Sequence, residues 1–198
     1  LTVARQNTRL IGTLGVGLAL TTAIRSARIV VLPLWAESLG MSEGTTSAIF
    51  AASMAVDMLL FYPAGVASDR WGRRWQGVPS TAMLAVGFIL LPFTGNAAGI
   101  TVAAILMGVG NGWGSGLLMT LGADLAPHRS RAVFLGIWMM LGDAGSLTGP
   151  ALVSLGAIAS LAAGVFGVAA VGVVSTVMLR VWIPPGRAHE AAIREAER

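Results

Sequence analysis

The sequence predicts an all-α integral membrane protein of six transmembrane helices, and three observations carry that prediction. The first is composition: of 198 residues, 55% are hydrophobic and only 11% charged, against roughly 25% charged in a soluble domain. Mean hydropathy is +0.77. The second is length: six apolar runs follow one another with short breaks, each near the roughly 20 residues that a helix needs to cross a bilayer. The third is where the charge falls, which is mostly between those runs.

In chain order, residues 1–9 are polar, carry Arg5 and Arg9, and read as a cytoplasmic linker. The first span covers about Leu10 to Trp35, with Pro33 near its end, tolerable in a membrane helix. Glu37 to Thr46 is a loop without a basic residue. The second span runs about Ser47 to Ala67 and the third about Gln76 to Phe93, followed by the uncharged turn Thr94-Gly95-Asn96. The fourth is expected over about Ala98 to Leu121, ending in the loop from Asp124 to Arg131. The fifth covers about Val133 to Leu155, and the sixth about Leu161 to Val181. Pro184-Pro185-Gly186 stops the last helix. Residues 10–183 are thus one six-helix bundle, and 184–198 a charged cytoplasmic tail.

Arginine distribution orients the bundle. All thirteen basic residues are arginine. Arg25 and Arg28 lie inside the first span; the other eleven fall on alternate loops and on both termini. By the positive-inside rule both termini and the loop between the second and third spans face the cytoplasm. The pI near 11.3 could suggest a nucleic-acid partner, but that needs a basic face on a soluble fold. None is expected here. The chain has no cysteine, so neither a disulfide framework nor a thiolate metal site is expected. The 26 glycines fit helices packed closely in lipid.

Four ionisable groups stand at membrane depth: Arg25, Arg28, Asp57 and Asp143. Each costs about 2.5–3.5 kcal/mol on insertion scales and so asks for a reason. Arg28 is one turn beyond Arg25 on nearly the same face. Two readings compete for the aspartates. Either a carboxylate shielded from water carries a coupling proton, or it pairs with an arginine or a hydroxyl and locks helices together. For Asp143, beside glycines and Ser146, the structural hydrogen bond is the expected reading. The arginines face the same choice between substrate contact and internal pairing. On the fourth span Gly108, Gly112 and Gly116 repeat every four residues, which reads as a helix interface. Asn111 is a cavity candidate, because its amide can meet a polar solute. Trp113 and Trp138 fit a cavity wall or packing equally.

The tight loop between the second and third spans reads Gly65-Val66-Ala67-Ser68-Asp69-Arg70-Trp71-Gly72-Arg73-Arg74. Gly65 is expected to let neighbouring backbone approach, Asp69 to accept from free N–H groups at a helix start, and Gly72 to permit the turn. This Gly-x-x-x-Asp-Arg-x-Gly-Arg-Arg pattern resembles the loop signature of the major facilitator superfamily of secondary transporters. Gly145, Gly149 and Pro150 are similar to that superfamily's fifth-helix motif, associated there with antiporters. The closing glycine pair is replaced by Val153 and Ser154. The arginine usual on the fourth helix of the amino-terminal half is also missing.

The resemblance implies one half of a major-facilitator-type twelve-helix bundle, read as the carboxy-terminal half, working by alternating access in the plasma (inner) membrane. It implies that Gly65, Asp69, Arg70, Gly72, Arg73 and Arg74 form a cytoplasmic latch. Arg25, Arg28, Asp57, Asn111 and Asp143 would line or support a substrate and proton pathway. Its partners would be the lipid bilayer, a small organic solute, protons, and the missing half or a second copy. Proton-coupled export of drug-like solutes is the expected activity, and uptake of a sugar or metabolite the alternative. No cofactor, metal or catalytic residue is implied. An intramembrane serine enzyme built on Ser115 would need a base nearby, and neither His128 nor His189 lies in a span. A non-transporting scaffold leaves the mid-membrane charges without a use.

Overall fold

Helices long and apolar enough to cross a membrane form where the apolar runs predict them, because a backbone in lipid must satisfy its own hydrogen bonds. The computed structural model describes residues 8–127 and 130–183. Residues 1–7, His128, Arg129 and the tail from Pro184, with His189, lie outside the described residues. Among those described there are six candidate spans: Ile11–Ser38, Glu43–Trp71, Arg73–Phe93, Ala97–Leu125, Arg131–Ala157 and Leu161–Trp182.

The first span is a π-helical turn, Ile11–Gly15, running into α1, Val16–Ser38. It is followed by α2, Glu43–Trp71, and α3, Arg73–Leu90. The fourth span, expected as one continuous helix, is two: α4, Ala97–Trp113, and α5, Leu117–Leu125. The remaining spans are α6, Arg131–Ala157, and α7, Leu161–Trp182. Three helix starts carry side-chain caps. Ser42 Oγ accepts from Thr45 N, Asn96 Oδ1 from Gly99 N and Ser160 Oγ from Ala163 N, each satisfying a backbone donor that the first turn leaves free.

Glycines decide which helices meet. On α4, Gly108 and Gly112 lie against the α2 backbone at Ser53 and Asp57, while Gly110 and, just past the helix end, Gly114 lie against α3 at Ser80. One stripe of small residues thus serves two neighbours. Gly116 does not join it. Its φ of +80° and open surroundings make it the turn that separates α4 from α5. On α6, Gly145 faces the carbonyl oxygen of Ala19, and Gly149 that of Ala23, both on α1. Thr22 Oγ1 donates to Gly142 O across the same seam at 2.9 Å.

Two apolar clusters fill the bundle. One gathers Ile24, Val31, Leu84, Phe88, Ile100 and Met107 with residues of α7. The other gathers Leu14, Leu18, Leu117, Phe134, Trp138 and Leu179. Their positions along the helices put them in opposite halves of the bundle's depth, the second toward the end that carries Arg70, Arg73 and Arg74. Trp138 belongs to this packing: it is 1% exposed, stacks on Phe134 and donates to Leu118 O.

The seam between α1 and α6 yields a test. Gly149→Leu drives carbon into the α1 backbone, and such overpacking costs about 1–3 kcal/mol, with each kcal/mol worth roughly 2–4 °C. Heating the purified protein and following the monodisperse fraction should show a midpoint several degrees lower. Gly167→Leu, where an added carbon meets nothing within 4 Å, should leave the midpoint in place. Equal losses would contradict the seam.

Candidate functional site

Between the two apolar clusters lies a polar layer at mid-depth. Asp57 is at the centre of the 29-residue second span, Asn111 at the centre of the 29-residue fourth span, and Arg25 near the centre of the first. Arg28 Nη2 donates to Asp57 Oδ2 at 3.0 Å, with the two side chains 2% and 16% exposed. Asn111 Nδ2 donates to the same oxygen at 2.5 Å. Arg28 Nη1 donates to Ser53 Oγ at 3.0 Å, and Ser53 in turn donates to Ala104 O at 2.6 Å. Three helices are joined through one carboxylate. The close seating of Gly112 on the Asp57 backbone brings the α4 asparagine within reach of α2.

Arg25 is held differently. Its Nη1 donates to Gly114 O at 2.9 Å, and its Nη2 to Asn111 O at 3.2 Å and Ser115 Oγ at 3.4 Å. These carbonyls belong to the last turn of α4 and the break after it. A helix end leaves carbonyls without intrahelical partners, and a cation there also meets the favourable end of the helix dipole. Arg25 therefore caps a broken helix from across the bundle. Gln76 of α3 does the same for Ser115 O, donating from Nε2 at 2.8 Å. Gln76 and Ser53 were not legible as site residues. Their only signal is a polar side chain at a buried helical position.

Asp143 stands apart from this layer. Ser146 Oγ, its expected partner, donates to Gly142 O instead. Asp143 is exposed on α6 and makes no hydrogen bond or ion pair among the described residues. The reason is rotational. Gly142, Gly145 and Gly149 turn toward α1 and α5, so the residue after Gly142 turns outward.

At the arginine-bearing end, Gly72 adopts φ +90°, ψ 162°, ending α2 and starting α3 within one residue. Asp69 does not cap a helix start; its Oδ1 accepts from Arg73 Nη1 at 2.9 Å. The same Nη1 donates to Ser68 Oγ at 2.7 Å, and Arg73 Nε donates to Asp124 Oδ2 at 2.9 Å. One guanidinium thus ties α2, α3 and α5. Asp124, read from sequence only as a loop residue, is the acidic partner; its signal was that it shares a membrane face with Arg73. Gly65 has nothing within 4 Å of the position a Cβ would take, so within this bundle no backbone approaches it. Arg70 and Arg74 make no ion pair among the described residues. Trp113 Nε1 donates to Trp75 O at 3.1 Å, closing the α4 end against the start of α3.

The shared carboxylate makes a sharp prediction. Asp57→Ala leaves Arg28 buried without a counter-charge, which typically costs about 3–5 kcal/mol. A marked fall in the unfolding midpoint is expected. The double substitution Arg28→Met with Asp57→Leu, which removes both charges, should recover most of it. A double variant no more stable than Asp57→Ala would mean that the layer contributes something other than charge pairing.

The sequence profile of the Major Facilitator Superfamily matches residues 14–198. Among characterised proteins, the chain is similar to the MFS-type transporter gkaD of Penicillium citrinum, with 31% identity over 86 residues. The aligned stretch covers 43% of this chain and 15% of that relative's length. A profile match along nearly the whole chain, on six membrane-length helices around a buried polar layer, has one reading. This chain is a multi-pass integral membrane protein and belongs to the major facilitator superfamily.

Proposed function

We propose that the chain is one six-helix half, the carboxy-terminal one, of a twelve-helix alternating-access transporter that exports small organic or drug-like solutes against protons. The observation that carries this reading is the polar layer at mid-depth, where Arg25, Arg28, Asp57 and Asn111 converge from three helices. Charged side chains at that depth mark substrate and ion paths far more often than scaffolding. Two bundles rocking about such a layer would open it to each side in turn.

In this mechanism the Asp69–Arg73–Asp124 ion pairs, with Gly65, Arg70, Gly72 and Arg74, form the cytoplasmic latch. They tie three spans together in one state and part in the other. Asp57 is engaged by Arg28 and Asn111, so the proton role falls to Asp143, the mid-membrane carboxylate without a partner among the described residues. Against lipid that carboxylate would cost about 2.5–3.5 kcal/mol, which supports a companion bundle over the outer face of α6. The companion is the other half of a longer chain or a second copy. Gly145 and Gly149 seat α6 on α1 and, together with Pro150 and by likeness to the antiporter motif, favour export. The arginine-rich loops support cytoplasmic ends in the plasma (inner) membrane.

The test uses the full chain in proteoliposomes with a pH-sensitive dye trapped inside and a panel of small organic solutes added outside. At least one solute should drive proton movement, and Asp143→Asn should abolish that movement while the protein still inserts. Proton movement unchanged in Asp143→Asn would reject its coupling role. Asp69→Ala should slow turnover by roughly tenfold, the equivalent of about 1.4 kcal/mol, with solute affinity little changed. A variant that binds poorly yet turns over normally would reject the latch.

A further inference from the structure

We propose that the mid-membrane site selects organic anions, with Arg25 supplying the charge that meets a carboxylate, sulfonate or phosphonate group of the solute. This rests on the transporter reading and names the solute class for the same site.

The layer holds two guanidinium groups one helical turn apart, Arg25 and Arg28, and one carboxylate, Asp57. That carboxylate is committed to Arg28 and Asn111 through a single oxygen. Arg25 hydrogen-bonds only to neutral acceptors, two backbone carbonyls and the Ser115 hydroxyl, and feels Asp57 only through space. Asp143 contacts neither arginine. The layer therefore carries an excess positive charge at the depth where water screens least.

Access and valence point the same way. Arg28 is 1% exposed and locked by Ser53 and Asp57, whereas Arg25 is half-buried. A guanidinium has five N–H donors, and the three hydrogen bonds Arg25 makes leave two for a further acceptor. In the same break Ser115 O is met by a neutral amide, Gln76 Nε2, so the hydrogen bonds alone do not call for a charge. The helix dipole favours a cation at this end, and the same permanent charge is what a solute anion would meet. A fork of donors also suits the paired oxygens of a carboxylate or sulfonate.

The chain has no cysteine, so a single reporter can be placed in the site. Ser115→Cys, nearly the same size as serine, sits beside Arg25. In membranes holding the full chain, its labelling rate is measured with anionic, cationic and neutral methanethiosulfonate reagents. Each rate is divided by that reagent's rate with a small free thiol. The anionic reagent should be favoured over the cationic one by about tenfold or more, as focused potentials in a low-dielectric cleft produce. Arg25→Gln should bring the ratio to near one, and Arg25→Lys should keep most of it. The Arg25-bearing protein alone already decides the matter if the glutamine variant fails to fold.

A ratio at or below one, with the neutral reagent reacting, overturns anion selection and leaves the transporter reading standing. A ratio unmoved by Arg25→Gln overturns the role of Arg25. Failure of even the neutral reagent to reach the cysteine from either side removes the aqueous path, and with it both proposals.

Discussion

The ion pair between Arg28 and Asp57 is the constraint around which the bundle is arranged. A guanidinium on α1 and a carboxylate on α2, both at mid-depth, must find each other or face lipid. Once they do, the remaining valence of the carboxylate must also be met. Asn111 meets it from α4, and this is possible only because Gly108 and Gly112 let α4 lie on the α2 backbone at Ser53 and Asp57. The glycine repeat and the buried charge are therefore one device. Small residues supply the approach, and the polar contacts fix the register at which the helices stop. In lipid, where apolar burial distinguishes poorly between one helix face and another, such contacts decide which packing is reached.

The break in the fourth span is the second consequence of this arrangement. A helix interrupted within the membrane frees carbonyls that its own backbone no longer satisfies. Gly116 supplies the backbone conformation, while Arg25 and Gln76 supply the donors from two other helices. The price of the break is thus met inside the bundle, and α5 is left joined to α4 by three residues. Arg25 and Arg28 lie one turn apart yet do different work. One is sealed into an ion pair, and the other reaches over a gap in a neighbouring helix with donors to spare.

The same economy of charge marks the arginine-bearing end. Arg73 reaches acidic groups on two other helices, Asp69 and Asp124, and a hydroxyl on Ser68. Its surroundings are only partly shielded, so each of these pairs is worth less than the buried one at mid-depth. The stronger contacts that hold the bundle together thus lie at mid-depth and the weaker ones at its arginine-bearing end. Gly72 keeps the connection to a single residue, which places Asp69 one helical turn's distance from Arg73.

Span number, span order and the spacing of arginines were legible in the sequence because they are local properties. Hydropathy over twenty residues decides whether a helix enters lipid, and this needs no knowledge of its neighbours. The glycine repeat on the fourth span was legible as an interface for the same reason, since a stripe every four residues lies on one face of any helix, although its last member, Gly116, makes the break instead. The partner of the stripe was not legible. Nothing local told Asp57 to pair with Arg28 while Arg25 turned to backbone carbonyls, or turned Asp143 outward from glycines that face α1 and α5. The sequence predicted a continuous fourth span because its hydropathy does not drop at Gly116, and the break is a matter of backbone angle and of donors on other helices. It likewise left Asp124 in a loop, since its tie to Arg73 crosses 51 positions. Sequence alone determined which segments lie in the membrane and at what depth their charges fall. Only the tertiary structure decided which charges neutralise each other, because that depends on the rotation of each helix about its axis, set by contacts between residues far apart in the chain.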